Sequence, residues 1–282
     1  MAEITLPDGR RLAYEVMGAT ARSPAIVLHG TPGSSRQLAG LDRPARDRGL
    51  ALIVPDRAGY GGSAYDPART IASGARDVGE LIRHLGPDPV PVVGLSGGGP
   101  TALACGVVLA GRVSAVATVG GVAPLVPRSP LLPRDRLLIR LARCSQTAAQ
   151  ALFAAAARAG RRRPEQTLNR FAALLAEPDR RLLRENPQVR DGFLDDLRHP
   201  SPTTARAAAR DFWLFARRWD VDLADLAVPA HIWHGTLDRN EPVAHARVIA
   251  AQCPAARLHI VEDGGHMLLS QLDQIVASLS RP

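Results

Sequence analysis

The chain has 282 residues, of which 46% are apolar and 22% are charged, and its formal net charge is +8. This composition is typical of a soluble globular protein with one large domain or a core and a smaller insert, and no run of residues is apolar enough to span a membrane. All 35 basic residues are arginine. The lack of lysine excludes Schiff-base catalysis and a phosphate-binding loop of the G-K-[ST] type.

The arginines are scattered and aromatic residues make up only 4% of the chain, so the positive charge does not predict nucleic-acid binding. Three widely spaced cysteines, Cys105, Cys144 and Cys253, predict buried thiols and no disulfide framework. The first residues are acidic and polar where a signal peptide has a basic start and an apolar run. We therefore expect a cytoplasmic protein, a monomer or homodimer, with no nucleic-acid partner and no membrane span.

Apolar runs alternate with helix-compatible segments through the first half of the chain. Residues 3–18 form two alternating runs around Pro-Asp-Gly, which predicts a β-hairpin. Short, nearly all-apolar runs are typical of strands buried on both faces of a parallel sheet, and they occupy residues 25–30, 50–56, 90–94 and 113–121. Helices are favoured between them, at 35–49, 69–85 and 99–110. This order predicts an α/β fold, with helices on both faces of a parallel sheet.

Residues 124–204 interrupt this alternation. They carry no strand pattern, and they contain Ala-, Arg- and Leu-rich segments divided by prolines. From about residue 205 the alternation returns, with strands predicted at 230–235 and 256–263. We therefore predict a core made of residues 1–123 and 205–282, with residues 124–204 inserted as a helical cap.

Three residue types that act together in nucleophilic catalysis each follow a predicted strand. Ser96, Asp238 and His266 stand just past strand ends, where open parallel sheets bind ligands. They match the types needed for a nucleophile, an orienting carboxylate and an imidazole base. Gly94 to Gly98 has the G-x-S-x-G pattern of a nucleophile elbow, a tight turn from strand to helix that exposes the serine. The backbone N–H groups of Gly97 and Thr31 would then form an oxyanion hole.

Five motifs together resemble those of the α/β-hydrolase family with a helical cap, and the resemblance covers nearly the whole chain. They are HGTPGS (29–34), DRAGYGGS (56–63), GLSGG (94–98), HGTLD (234–238) and GGH (264–266). The resemblance implies a mostly parallel sheet of the eight-stranded type, flanked by helices. It also implies that Ser96 is the nucleophile, His266 the base and Asp238 the orienting acid. The amides of Thr31 and Gly97 would bind the oxyanion. No metal or cofactor would be needed. Related epoxide hydrolases and haloalkane dehalogenases have aspartate at the elbow, and Ser96 argues against both.

Other roles for these residues remain open at this stage. Ser96 could be an ordinary loop hydroxyl, and Asp238 could cap the helix that follows it. The competing acids are Asp263 and Glu241, and the competing imidazoles are His29, His234 and His245.

Two further patterns predict no site. His231, His234 and Asp238 could be read as metal ligands, but residues three apart on a strand point to opposite faces. The loose dinucleotide pattern Gly59-x-Gly61-x-x-Ala64 is followed by Pro67, which interrupts the start of a helix, and the next strand has no acid at its end. We therefore expect neither a metal nor a dinucleotide.

The combined pattern predicts a serine hydrolase that cleaves a small, largely apolar carboxylic ester or lactone through an acyl-enzyme on Ser96. The apolar content of the insert, including Phe153, Phe171 and Phe193, indicates an apolar acyl or alcohol group. Two alternatives are an aminopeptidase of the proline iminopeptidase kind and a non-catalytic small-molecule binder on the same fold. The aminopeptidase would need a carboxylate in the cap to bind a free amine, and the candidates are Glu165, Glu177 and Glu185.

Overall fold

A sheet of eight strands forms the centre of the protein. The computed structural model describes residues 1–19, 24–86, 89–124 and 133–279, without the side chains of 133–135. The strands are β1 (Ala2–Thr5), β2 (Arg11–Gly18), β3 (Ala25–Leu28), β4 (Ala51–Pro55), β5 (Val90–Leu95), β6 (Val113–Val119), β7 (Ala230–Gly235) and β8 (Ala256–Val261). Their order is β1-β2-β4-β3-β5-β6-β7-β8. β2 is antiparallel to both of its neighbours, and all other pairs are parallel. The predicted hairpin and mostly parallel eight-stranded sheet are confirmed.

The central strands are buried on both faces, which explains their nearly all-apolar sequences. Every residue of β4 and β7 is buried. Because side chains alternate along a strand, Val92 of β5 packs in one apolar cluster and Val93 in another on the opposite face. On β8, by contrast, Leu258 and Ile260 are exposed, as suits a strand at the edge of the sheet.

Helices cover both faces of this sheet. They are α1 (Asp42–Asp47), α2 (Ile71–Leu85), α3 (Gly99–Val108), α10 (Ala244–Gln252) and α11 (Leu272–Leu279). The helix expected within 35–49 is divided into a 3₁₀ turn and the short α1, because Pro44 has no N–H to donate and fits only in a first helical turn. Within the described ranges, no helix combines the length and apolar character needed to cross a bilayer.

In the described part of the segment between β6 and β7 there are six α-helices, which we call the helical insert. They are α4 (Pro133–Cys144), α5 (Gln146–Arg162), α6 (Pro164–Leu174), α7 (Glu177–Glu185), α8 (Pro187–Arg198) and α9 (Thr204–Phe215). A proline stands in the first turn of α6, α7 and α8. From the sequence we assigned α9 to the core, but this helix contacts both units. The ring centroids of Phe212 and Phe153 of α5 are 5.4 Å apart, whereas Leu214 packs in the main apolar cluster of the core. The boundary at 204 therefore stays a prediction, and the start of the insert, 125–132, lies outside the described residues.

The cysteines agree only in part with the expectation of buried thiols. Cys105 and Cys253 are buried, and burial raises the pKa of the Cys105 thiol, which keeps it protonated and unreactive. Cys144 is exposed instead, because it ends α4 at the surface. The prediction of a buried thiol is wrong at this position.

Candidate active site

The turn after β5 presents Ser96 at the end of the sheet. β5 ends at Leu95, and a 3₁₀ turn over Ser96–Gly98 leads into α3. Ser96 has φ +50, a left-handed conformation that is uncommon for a residue with a side chain and is often found at functional sites. The glycines make this turn possible, since a Cβ on Gly94 would lie 2.6 Å from the Gly98 carbonyl oxygen, and one on Gly98 would lie 2.6 Å from that of Leu28.

The loop after β3 lies directly against this turn. A Cβ on Gly30 would be 3.2 Å from Cβ of Ser96, and one on Gly97 would be 3.1 Å from the backbone nitrogen of Thr31. The structure therefore brings Ser96, Gly97 and Thr31 together, as the sequence predicts. The atom nearest to a Cβ on Gly97 would be Oγ1 of Thr31, so the two loops are in close contact beside Ser96.

A buried carboxylate and an imidazole meet at the ends of β7 and β8. Oδ2 of Asp238 lies 2.7 Å from Nδ1 of His266, and the Asp238 side chain is fully buried. Oδ1 of Asp238 accepts hydrogen bonds from the backbone N–H groups of Asn240 at 2.8 Å and Glu241 at 3.0 Å. These bonds fix the carboxylate, so it can orient the imidazole and stabilise it when protonated.

The charges of this pair depend on each other. Burial by itself would raise the pKa of Asp238, but the neighbouring imidazoles of His266 and His234 hold it below its ordinary value. Burial likewise disfavours a charged His266, but the Asp238 carboxylate outweighs that effect and raises the pKa of His266 to about 9. The imidazole is therefore a stronger base than an ordinary histidine.

His266 and Ser96 line the same cavity. Gly120, at the end of β6, has φ +56, and a Cβ there would lie 2.7 Å from Nδ1 of His266. The missing side chain leaves room for the imidazole ring beside the central strands. The described hydrogen bonds include none between Ser96 and His266, but both side chains face the cavity.

The competing histidines and acids have other partners. His29 is fully buried, and burial together with Arg57 lowers its pKa to about 3, so it stays neutral and accepts a hydrogen bond from the Arg57 N–H. His245 pairs with Glu241 at 3.1 Å, and Asp263 is exposed. Of the histidines in the described part of the chain, His266 alone lines the cavity.

The histidines considered as metal ligands point to different partners. Nδ1 of His231 lies 3.0 Å from Nε2 of His259, whereas Nε2 of His234 lies 3.2 Å from Oδ2 of Asp238. This follows from the alternation of side chains along β7. Across the described ranges, no group of three or more histidine, cysteine and acidic side chains is arranged to hold a metal ion.

A buried charge network holds the loop that carries Thr31, and sequence reasoning missed it. Oδ2 of Asp211, on α9, accepts hydrogen bonds from Thr31 Oγ1 at 2.6 Å and from the Tyr60 hydroxyl at 2.7 Å. Asp211 also pairs with Arg57 at 3.0 Å and Arg69 at 2.5 Å, and all three charged side chains are nearly fully buried. Burial would raise the pKa of Asp211, but the two guanidinium groups lower it to about 2. Arg57 and Tyr60 lie in the DRAGYGGS motif, but no spacing in the sequence marks Asp211 as their partner.

The cavity has a volume of about 950 Å³ and a mostly apolar lining. The helical insert contributes aromatic and aliphatic side chains, and the core contributes Ser96 and His266. Two carboxylates, Asp196 and Glu241, also line it, and no arginine is among the described residues that do. Asp196 accepts hydrogen bonds from Ser34 and Gln37, and burial raises its pKa.

Residues 24–271 match the family model described as alpha/beta hydrolase fold. The chain belongs to this family. An esterase from Exiguobacterium antarcticum is 21% identical and has a TM-score of 0.72, with 99% of each chain covered. The enol-lactonase from Burkholderia xenovorans LB400 is 20% identical and has a TM-score of 0.70, with 99% of this chain and 100% of that chain covered. At such low identity, the structural likeness shows the fold alone.

Sequence similarity to curated proteins is confined to part of the chain. A proline iminopeptidase from Lactobacillus delbrueckii subsp. lactis is 33% identical over 111 residues, which are 36% of this chain and 38% of that protein. The chain spans about a third of the length of the curated relatives it matches. Membership of the alpha/beta hydrolase fold family rests instead on the family model, which matches residues 24–271.

Replacing Asp211 with alanine would leave two buried guanidinium groups without their carboxylate. We expect the free energy of unfolding to fall by about 3–5 kcal/mol. The matched control is Asp47→Ala, which removes an exposed i,i+4 partner 3.8 Å from Arg43 and should cost less than about 1 kcal/mol. Chemical denaturation of both variants measures the difference, and equal losses would contradict the importance of the buried network.

Proposed function

We propose that the chain is a serine hydrolase that cleaves a small, largely apolar carboxylic ester or lactone. The observation that carries this proposal is the hydrogen bond between Asp238 and His266 beside a cavity that Ser96 also lines. In this proposal Ser96 is the nucleophile, His266 the general base and Asp238 the residue that orients it. The amides of Thr31 and Gly97 bind the oxyanion.

The geometry supports a two-step acyl transfer. With Nδ1–H donated to Asp238, Nε2 of His266 is free to take the proton of Ser96 as Oγ attacks the substrate carbonyl. The protonated imidazole then gives this proton to the leaving alkoxide, and water releases the acid from Ser96 by the same steps. The hydrogen bond from Ser96 to His266 is expected to form with bound substrate, because catalytic hydrogen bonds often tighten only in the complex.

The lining of the cavity supports an uncharged, apolar substrate. The chain has 35 basic residues, all arginine, but the described cavity lining contains none of them and does contain Asp196 and Glu241. A substrate with its own carboxylate would meet these acids with no guanidinium group in the described lining to compensate. The aliphatic and aromatic lining suits an apolar acyl or alcohol group.

Aminopeptidase activity is the second candidate, and one side chain favours it. The three glutamates suggested by the sequence are not among the residues that line the cavity. Glu165 pairs with Arg190 and Arg198 instead. Glu177 pairs with Arg180 and Arg184, and Glu185 is the last residue of α7. Asp196 does line it, and its described hydrogen-bond partners are neutral. The partial likeness to proline iminopeptidases supports the same alternative.

A substrate comparison separates the two activities. We expect kcat/KM for short acyl nitrophenyl esters or lactones to exceed that for proline-naphthylamide by at least about 100-fold, since the cavity suits a neutral group. Asp196→Asn should leave ester turnover within about threefold, because a neutral ester does not need the carboxylate. A preference for the prolyl amide that Asp196→Asn removes would favour the aminopeptidase instead.

Ser96→Ala tests the nucleophile itself. We expect kcat for the best ester to fall by at least about 10⁴-fold, because the acyl-enzyme can no longer form. Intact mass after a fluorophosphonate probe should show one adduct on the wild-type protein and none on Ser96→Ala. Ser114→Ala is the matched control, since Ser114 lines the same cavity away from the turn, and it should keep both adduct and turnover. An adduct on Ser96 without turnover on any ester, lactone or amide would favour a non-catalytic binder.

The pH dependence of kcat/KM tests the base. Only neutral His266 can accept the proton of Ser96, and its pKa is raised to about 9. We therefore expect kcat/KM to rise about tenfold per pH unit below that value and to level off near it. Asp238→Asn removes the carboxylate that raises this pKa, so its weak residual activity should level off at a lower pH. A wild-type profile that is already flat from pH 7 would contradict the assignment.

A further inference from the structure

The loop that carries His266 is held from outside the core by the helical insert. Asp179, in the first turn of α7, is 2% exposed. Its Oδ2 accepts a hydrogen bond from the backbone N–H of His266 at 2.8 Å, and its Oδ1 accepts one from the N–H of Met267 at 2.9 Å. One carboxylate of the insert therefore binds two successive amides of this loop.

The loop that carries His266 packs closely against the helical insert. A Cβ on Gly265 would lie 2.5 Å from Cγ of Asp179, so only glycine allows the loop to approach the carboxylate. Met267 and Leu269 pack against the apolar cluster of the insert, formed by Leu168, Leu175, Leu183, Val189 and Leu194. Polar and apolar contacts thus join the same loop to the same helices.

The core contacts this loop at Leu268, which is buried in an apolar cluster of the core, and at Gly264, whose carbonyl accepts a hydrogen bond from the Leu237 N–H at 2.9 Å. Leu268 has φ +45, a costly conformation for a residue with a side chain. The described hydrogen bonds give the amides of His266 and Met267 no acceptor other than Asp179. Loss of this carboxylate would leave two partly buried N–H groups unpaired, which favours movement of the loop.

We propose that Asp179 is a positioning residue through which the helical insert holds His266 in its working orientation, so that the base is in place only while the insert is seated on the core. This inference rests on the proposed function, since it takes His266 as the general base. It assigns the insert a part in the chemistry in addition to its part in lining the cavity.

The charges around His266 agree with this role. The acidic groups whose charge acts on its imidazole are Asp238 and Glu241, from the loop after β7, and Asp179 from the insert. Burial lowers the pKa of His266, and these three carboxylates oppose burial, with Asp238 the strongest. Removing the charge of Asp179 should therefore lower the pKa of His266 as well as loosen the loop.

Asp179→Asn is the most direct test, because it keeps the shape but turns one acceptor into an NH₂ group facing an N–H. We expect kcat on the best ester to fall about 10- to 100-fold with KM within about twofold, as misplacement of a catalytic group by about 1 Å can cost 10²-fold. Gly265→Ala should lower kcat by a similar factor with little change in KM, because the added methyl group would push the loop away from Asp179. If Asp179→Asn does not fold, this second variant decides.

Two control variants separate positioning from general damage to the insert. Asp191→Asn changes an exposed acid on α8 and should alter neither kcat nor KM. Leu141→Ala weakens a separate apolar cluster of the insert, around Ala142, Ala149 and Ala209, to which the loop does not contribute, so it should lower the melting temperature without the selective loss of kcat. If Leu141→Ala lowers kcat as much as Asp179→Asn does at equal KM, the role of Asp179 is merely structural and the proposal is overturned.

NMR of protein labelled at its histidine imidazoles gives a readout independent of turnover. In Asp179→Asn the His266 signals should broaden or shift and the pKa of His266 should fall, whereas Asp191→Asn should leave both unchanged. Unchanged His266 signals and kcat in Asp179→Asn would overturn the proposal. If the wild-type protein hydrolyses nothing and takes no fluorophosphonate adduct, the proposed function fails, but the NMR comparison still decides whether Asp179 positions His266.

Discussion

Two arginines lie almost fully buried beneath the loop that carries Thr31, and the Asp211 carboxylate compensates the charge of both. A guanidinium group cannot lose its proton in a protein, so its burial requires a carboxylate close by. Asp211 provides it for Arg57 and Arg69 together, and it also receives the hydroxyl groups of Thr31 and Tyr60. The position of the loop that carries Thr31 therefore depends on a residue of the helical insert that is distant in sequence.

Other aspartates of the helical insert also hold loops around the cavity. Asp211 of α9 reaches the loop after β3 at Thr31, and Asp196 of α8 reaches that loop further along, at Ser34 and Gln37. Asp179 of α7 reaches the loop after β8. Three aspartates of the insert thus bind the loops that surround Ser96. The insert is a scaffold for these loops as well as a cover for the cavity, and this limits how far its helices can move without disturbing them.

The sequence predicted the fold well because its signals are local. Buried parallel strands need nearly all-apolar runs, and the elbow needs glycines around Ser96, so both can be read from consecutive residues. Asp238 and His266 were predicted from their places after strands, and the structure puts them 2.7 Å apart. Whether they act together with Ser96 remains a prediction.

The partners supplied by the insert could not be predicted in this way. Asp179 and Asp211 look like ordinary acids on amphipathic helices, and their contacts depend on how the helices pack on the core. The same reason explains why Glu165 and Glu177 were suggested as cavity acids. They pair with arginines instead, while Asp196 faces the cavity. Charge on a helix is visible in the sequence, but the direction in which it faces is not.

The separation of charge between cavity and surface has a consequence for product release. Hydrolysis of a neutral ester creates a carboxylate inside a cavity whose lining includes the acidic side chains of Asp196 and Glu241. The product therefore acquires repulsion that the substrate did not have, while the net charge of +8 attracts it outwards. Under the proposed function, the acids of the cavity and the positive net charge of the protein thus favour release of the acid product and oppose product inhibition.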